Sequence, residues 1–488
     1  MDIERILQEM TPEEKASLCP DAGCAQTAAV ARLGLPSFTV AGGVRGLYRL
    51  TGNPAEPAPS VCFPSPVGMG ASFDRDLARE LGSLIGQSAL HEHVDVLLGP
   101  SSGTRQPLQG TQRDIRYAED PFLAEALAEA FALGVRAQGV GAVLRPDADL
   151  SPDDAARRML TQVDFALANR REPEEFDWGM QHHQARKLAR EAMVLLKNDG
   201  DLLPITGNKK VAFIGAYAER PLFQPEAGSI RCTETLSALQ AVRSVSPVTY
   251  VRGFDPDRDE PDPALEAEAV RAAAEADIAV LFLGAPFGNL PACQSALAEA
   301  VAAVQPRVAV VLHNGAPVGM PWIDRVSAVL ETYLGGQAVG GATVDVLFGA
   351  VSPCGKLPEA FPLFPFGHGL TYTRFAYANL RLSADRFDGT PVTACVDVTN
   401  TGKVYAKEAV LIYLRQPSLT SEQPFRALKG FAKLALAPGQ TGTVSVTLDR
   451  DAFVCGKEHA RSGSWIVEAA ASAVDIRCRA EITAPDIL

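Results

Sequence analysis

A few side chains in this 488-residue chain combine a reactive or ligand-holding type with a position where a site is expected. Asp147 and Asp149 follow the apolar run Gly141-Ala142-Val143-Leu144, which reads as a strand stopping at Arg145-Pro146. Carboxyl groups just past a parallel strand sit on the face where α/β proteins bind ligands, so both are placed for acid–base or nucleophilic work. Capping of the helix that opens at Ser151 accounts for the same two residues without catalysis. Asp177 is a third candidate carboxylate. It precedes a helical run, where a short acidic residue also reads as an N-cap. Asp114 and Glu119 are the other carboxylates near these strands. Arg113, Arg116 and Arg145 are candidate ligand-holding cations, although loop arginines ordinarily face solvent. His182 and His183 are neighbours on a helix and face different ways, so they cannot act together as a metal pair. The nine cysteines are scattered, odd in number and without a CxxC pair, Cys19 and Cys24 being the closest two. No metal and no cofactor is expected, and the thiols read as reduced, cytoplasmic ones.

The elements that must position these groups fall into three spans. Residues 1–150 alternate short apolar strands, such as Ser37–Val40 and Val94–Leu98, with helical stretches at Asp74–Ala89 and Pro121–Gln138. Strands that end in Gly or Pro and feed amphipathic helices predict parallel β/α units. The middle of the chain carries continuous apolar runs, "KVAFIG", "ADIAVLFLGAP" and "RVAVVLHNG". Such runs predict a parallel sheet covered on both faces. Gly215-Ala216-Tyr217-Ala218 does not make the glycine pattern a dinucleotide site needs. From about 366 onward, alternating strands separated by turns at Asn400-Thr401-Gly402 and Pro438-Gly439 predict a β-sandwich. A net charge of −13 argues against nucleic-acid or anionic-membrane partners. The opening Met1–Arg5 shows no basic region before an apolar stretch, and no run is long and apolar enough to span a bilayer, so neither a secretory signal nor a membrane span is expected.

Particular stretches resemble glycoside hydrolase family 3, the large β-glucosidase family. "MDIERILQEMTPEEKASLC" resembles its opening helix, and "FPSPVGMGASFDRDLARELG" and "VDVLLGP" resemble its second and third barrel segments. "VVLHNGAPV" and "YLGGQAVGGATVDVLFGAVSPCGKLPEAFP" are long, specific likenesses to its second domain. The resemblance implies a multidomain α/β plus all-β fold: an incomplete TIM-like β/α domain over 1–180, an α/β sandwich with a mostly parallel sheet over 181–362, and a fibronectin type III-like β-sandwich over 363–488. A whole barrel of this type runs to about 250 residues. Here "LSPDDAARRMLTQVDFALANRREP", similar to the barrel's closing helix, follows the fourth strand almost at once, and at most four strands are countable.

The same resemblance implies where chemistry should sit, and the chain departs from it. The family's sugar-gripping Asp falls at Gly42, and its Lys-His pair at Arg145-Pro146. The strand carrying the nucleophile is missing. No Asp or Glu lies between Asp277 and Glu299, where the acid/base glutamate belongs. Retaining hydrolysis needs two carboxyl groups about 5–5.5 Å apart. Three readings follow: a non-catalytic relative that binds a glycoside or a partner subunit; an active β-glucosidase-type enzyme with relocated carboxylates; and non-hydrolytic chemistry on glycosides in a remodelled cleft. A half-barrel leaves an apolar strand edge and helix faces open, so a homo-oligomer or a partner subunit covering residues 1–180 is expected.

Overall fold

The structure, a computed structural model, describes residues 1–18, 25–48, 59–101, 115–145, 150–173, 175–223, 230–416, 425–453 and 462–485. The chain starts with two short helices, α1 (Ile3–Glu9) and α2 (Pro12–Ser17). The Thr11 hydroxyl accepts the Glu14 N–H, and the Glu14 carboxylate accepts the Thr11 N–H, which fixes the start of α2. A four-stranded sheet follows in the order β1 (Ala25–Gln26), β2 (Thr39–Gly42), β3 (Val96–Ser101), β4 (Gly141–Arg145). β1 pairs antiparallel with β2, while β2, β3 and β4 run parallel. The crossovers are α3 (Pro66–Gly70) with α4 (Arg75–His91), then α5 (Pro121–Arg136). Asp74 and Asp120 cap α4 and α5 through their side chains.

Alternation along the strands shows which face meets which helix. Ala41, Leu97 and Ala142 belong to one core with Leu81, Leu127 and Phe131 of α4 and α5. Val40 and Val96 point the other way, into a core with Met159, Leu160 and Val163 of α6 (Pro152–Ala168), with Ile6 and Leu7 of α1 and with Met10 just after it. A closed barrel would turn that second face inward onto its own strands. Here α6, backed by α1 and α2, fills it instead.

Both faces of this sheet are thus covered, and the incomplete barrel is closed off as three layers. The edge of β4 is partly covered as well. The Gln162 carbonyl on α6 accepts the Ala142 N–H at 3.1 Å, and Arg136 donates to the same oxygen at 3.2 Å. A side chain that takes up an edge N–H blocks the next strand from docking there.

Helix α7 (Trp178–Ala192) leads into the middle unit. Its strands are β5 (Val194–Asn198), β6 (Val211–Ile214), β7 (Val248–Val251), β8 (Ile278–Ala285), β9 (Val308–Asn314) and β10 (Ala328–Glu331), with helices α8 (Ala238–Val242), α9 (Pro263–Glu275), α10 (Ala292–Val304) and α11 (Val339–Leu347). The sheet order is β5-β10-β9-β8-β6-β7, with β5 antiparallel to β10 and the other pairs parallel. Every residue of β8, β9 and β10 is buried. That burial is the physical reason these strands are continuous apolar runs rather than alternating ones.

The C-terminal unit is all β. Strands β11 (Phe375–Leu382), β12 (Val392–Asn400), β13 (Ala406–Gln416), β14 (Phe425–Leu436), β15 (Thr441–Leu448), β16 (Gly463–Ala470) and β17 (Ile476–Ala484) form two sheets, β11-β12-β15 and β14-β13-β16-β17. Burial alternates residue by residue along β12. The inward side chains meet Phe387, Phe453 and Trp465 in one core between the sheets.

Candidate functional site

In parallel β/α layers the strand carboxyl ends form the ligand face, so the ends of β2, β3 and β4 are the place to look. β2 stops at Gly42-Gly43. A Cβ on Gly43 would lie 2.6 Å from the Leu97 side chain, so no larger residue fits there without a shift. A Cβ on Gly42 would meet nothing within 4 Å. The absence of a carboxylate at Gly42 is therefore not forced by packing. Beyond it the chain turns through Gly46, at φ 138°, where a Cβ would lie 2.1 Å from the Val61 carbonyl oxygen. That close approach brings Arg45 against residues 61–63, and the Phe63 N–H donates to the Arg45 carbonyl at 2.8 Å. Ser101 ends β3 opposite Arg145 of β4, and its N–H donates to the Ile115 carbonyl at 2.7 Å. Arg116 follows directly.

Three arginines therefore gather at this end of the sheet. Arg45 and Arg116 are 7% and 5% exposed, and burial pulls the Arg145 guanidinium below its ordinary pKa. Guanidinium groups donate hydrogen bonds but can neither attack a carbon nor release a proton at neutral pH. Among the described residues at these strand ends, Gly42–Arg45, Ser101, Ile115–Tyr117 and Arg145, there is no carboxyl group. Asp147, Asp149, Arg113 and Asp114 lie outside the described residues.

The remaining sequence candidates are elsewhere. Asp177 is exposed and caps α7, its carboxylate accepting the Met180 N–H at 2.9 Å. Its neighbour Phe176 packs between the His91 and Trp178 rings, which directs this corner toward α4 and not toward the strand ends. Glu119 is exposed, and its N–H donates to the Pro358 carbonyl. His182 contacts the Gln337 side-chain amide at 3.0 Å, and His183 is exposed. Among the described residues, no group of three His, Cys, Asp or Glu side chains could hold a metal ion, and no helix is long and apolar enough to cross a membrane.

The loop after β8, Pro286–Pro291, carries Phe287 and Asn289 but no acid. Its base is fixed by neutral amides: Gln294 pairs with both the N–H and the carbonyl of Gly284, at 2.8 and 3.0 Å. The Asn314 side-chain oxygen accepts the Ala285 N–H, and its side-chain amide donates to Glu331 at 2.8 Å.

Glu331 is the carboxyl group that sequence reasoning missed. It is 0% exposed, and burial raises its pKa to about 8, against the lowering effect of the Tyr333 N–H at 2.7 Å and the Asn314 amide. Tyr333, at φ 52°, packs on α3 of the N-terminal unit, where a Cβ on Gly68 would sit 3.2 Å from the Tyr333 Cβ. A signal was present, since one acid ends the otherwise apolar Ala328-Val329-Leu330. Asp120 is a second missed acid. Burial raises its pKa to about 6, and with Arg75, Phe122, Asp449 and Asp451 it lines a cleft of about 610 Å³ between α5 and the β-sandwich.

Comparison with known proteins places these observations. Residues 193–372 match the Glycosyl hydrolase family 3 C-terminal domain, and residues 408–477 the Fibronectin type III-like domain. Thermostable beta-glucosidase B of Acetivibrio thermocellus is 31% identical, over 98% of this chain and 87% of its own length. That alignment spans 661 positions although this chain has 488 residues, so the relative holds a long stretch that this chain lacks. An exo-alpha-(1->6)-L-arabinopyranosidase of Bifidobacterium longum is 27% identical over 96% of this chain and 87% of its own. Among solved structures, a GH3 beta-glucosidase of Bifidobacterium adolescentis superposes with a TM-score of 0.87 at 26% identity, covering 98% of this chain and 95% of that one.

Proposed function

The chain belongs to glycoside hydrolase family 3, a beta-glucosidase-like family of carbohydrate hydrolysis, and from that membership we propose that this member is non-catalytic and binds a glycoside or a partner subunit. The observation that carries the reading is that, among the described residues, neither the strand ends nor the loop after β8 carries a carboxyl group. Glycosidic cleavage needs one to attack or activate water and one to give a proton. The described strand ends offer arginines, the loop after β8 offers amides, and Asp177 is occupied in capping a helix. The filling of the inner sheet face by α6 supports the same conclusion, because the space in which a barrel would build its remaining strands is occupied by Met159, Leu160 and Val163. Arg45, Arg116 and Arg145 are suited to donate hydrogen bonds to sugar hydroxyls at the mouth.

One observation favours a second reading. Asp147 and Asp149 follow β4 directly, at the carboxyl end where a relocated acid or nucleophile would act. Turnover of a panel of aryl β- and α-glycosides separates the two. The expected outcome is no release above the uncatalysed rate from any sugar by folded protein. Release that Asp147→Ala or Asp149→Ala abolishes would overturn the non-catalytic reading and name the relocated group.

A further inference from the structure

Residues 59–63, just beyond the Arg45 turn, form a short ladder with residues 230–233 of the middle unit. Ser60 bridges Cys232 in parallel, the Ser60 N–H donates to the Arg231 carbonyl at 2.9 Å, and the Thr233 N–H to the Ser60 carbonyl at 3.2 Å. On its other side the segment is clamped by Gln337. Its side-chain oxygen accepts the Cys62 N–H at 3.0 Å, and its own N–H donates to the Cys62 carbonyl at 2.8 Å. A Cβ on Gly336 would lie 2.6 Å from the Cys62 carbonyl oxygen, so the backbones here are in direct contact. Inside this frame the Cys62 thiol contacts the Phe63 carbonyl at 3.6 Å and the Cys232 thiol the Ile230 carbonyl at 3.5 Å, and the two thiols lie close enough to shift each other's pKa in opposite directions. Cys62 is 0% exposed, while Cys232 is only partly buried.

We propose that Cys62 and Cys232 form an oxidisable dithiol whose disulfide staples the N-terminal β/α unit to the middle α/β unit. Three features carry the proposal: a parallel bridge sets the two segments side by side, their backbones are held by hydrogen bonds on both sides, and Cys232 is only partly buried. Among the described cysteines, Cys293, Cys354, Cys395 and Cys478 are free thiols in other parts of the fold.

The chemistry suits the pair. The hydrogen bond from Cys232 lowers the Cys62 thiol's pKa, the Arg45 charge adds to that, and burial opposes it. The same contact raises the Cys232 pKa, so the charge of the singly ionised pair rests on Cys62, which takes the Cys232 proton as the Cys232 sulfur attacks. With a hydroperoxide as oxidant, the Cys232 sulfur attacks the terminal oxygen, the O–O bond breaks, and an alcohol (water, from hydrogen peroxide) leaves. The Cys62 thiolate then attacks the resulting sulfenic sulfur, the S–S bond forms and water departs. Two thiols lose two protons and two electrons while one peroxide is reduced by two, and any dithiol reductant reverses the step. The cross-link closes a long loop of chain, so the oxidised form should resist unfolding better than the reduced one.

The test is mass spectrometry on the full-length protein. Reduced protein is exposed to hydrogen peroxide, denatured, alkylated at its remaining thiols and digested. The expected result is a peptide pair joined through Cys62 and Cys232, lighter by two hydrogens and released by dithiothreitol. It should be accompanied by a melting temperature raised by about 5 °C. Cys232→Ser, at a partly exposed position, should abolish both the link and the shift while leaving the reduced protein folded, and Cys232→Ala serves as a second variant if serine perturbs the ladder. Full alkylation of Cys62 and Cys232 after other cysteines have oxidised would overturn the proposal. So would Cys232 trapped as an unlinked sulfinic acid.

Discussion

At the seam between the middle unit and the β-sandwich, Glu191 of α7 lies 2.5 Å from Lys407 of β13 and 3.3 Å from Lys433 of β14. At the seam between the middle unit and the N-terminal layers, Glu331 meets only amide donors, Asn314 and the Tyr333 N–H. Both carboxyl groups are largely desolvated, yet they are held in opposite states. Burial alone would raise the Glu191 pKa, but the two lysines overcome it and bring it down to about 2. Among the described residues no lysine pairs with Glu331; burial raises its pKa to about 8, and the charge of another acid, Glu359, adds to the rise. Burial alone therefore does not set a carboxyl group's state; the sign of what is buried beside it does. The sandwich is anchored by charge, with Lys356 and Glu408 making a further buried pair at 3.4 Å. The buried part of the N-terminal seam is anchored by neutral hydrogen bonds and close backbone packing, and its ion pair, Lys187 with Glu80 at 2.7 Å, is partly exposed.

The largest expected effect comes from breaking the ionic anchor on one side. Glu191→Ala leaves Lys433, whose side chain is only 4% exposed, buried without its carboxylate. Removing one member of such a pair costs about 3–5 kcal/mol, because the surviving charge stays desolvated. Urea unfolding should show the sandwich losing its cooperative link to the rest of the chain. A loss under about 1 kcal/mol would mean that solvent reaches the lysines and that the seam is not ionic in the sense argued.

The two acids should also give stability slopes of opposite sign. Glu191 has a folded pKa below its unfolded one, so its contribution is present above about pH 4.5 and is lost as pH falls toward about 2. Glu331 has a folded pKa above its unfolded one, so its contribution is complete below about pH 4.5 and declines as pH rises through about 8. Between pH 5 and 8 the wild type should therefore lose roughly 2–4 kcal/mol that a Glu331→Gln variant does not lose. The quantity to compare is the slope of unfolding free energy against pH. Equal slopes in the two proteins would place Glu331 ionised in the folded state and remove the contrast.

How much of this was legible in the sequence follows from how local each cause is. Strands β8 and β9 could be read directly, because a strand covered on both faces must be apolar at every position. Asp177 was legible as a cap because capping depends on the three residues that follow it. The position of α6 was not: its stripe of Met159, Leu160 and Val163 requires burial somewhere, but only the arrival of Ile6, Leu7 and Met10 places it against the inner sheet face. The arginine mouth was half legible. Arg116 and Arg145 were candidates from the sequence, whereas Arg45 joins them only through the Gly46 turn. Glu331 and the Cys62–Cys232 contact escaped because their partners are distant in the chain, and no spacing rule connects Asn314 to Glu331 or residue 62 to residue 232.

The smallest of the expected effects tests the neutral seam. Gln337 is 0% exposed and bonds the Cys62 N–H and His182 at once. Gln337→Ala removes both partners and leaves a buried N–H without an acceptor, a loss of about 1–3 kcal/mol. Since no charge is lost, the deficit should be the same in dilute buffer and in about 1 M salt, where the Debye length shrinks to about 3 Å. The partly exposed Lys407 arm of the ionic seam should instead weaken as salt rises. A Gln337→Ala deficit that shrinks with salt would show that His182 is charged and paired with Glu234, 3.9 Å away, so that the buried part of the N-terminal seam also relies on charge and the two seams differ in degree rather than in kind.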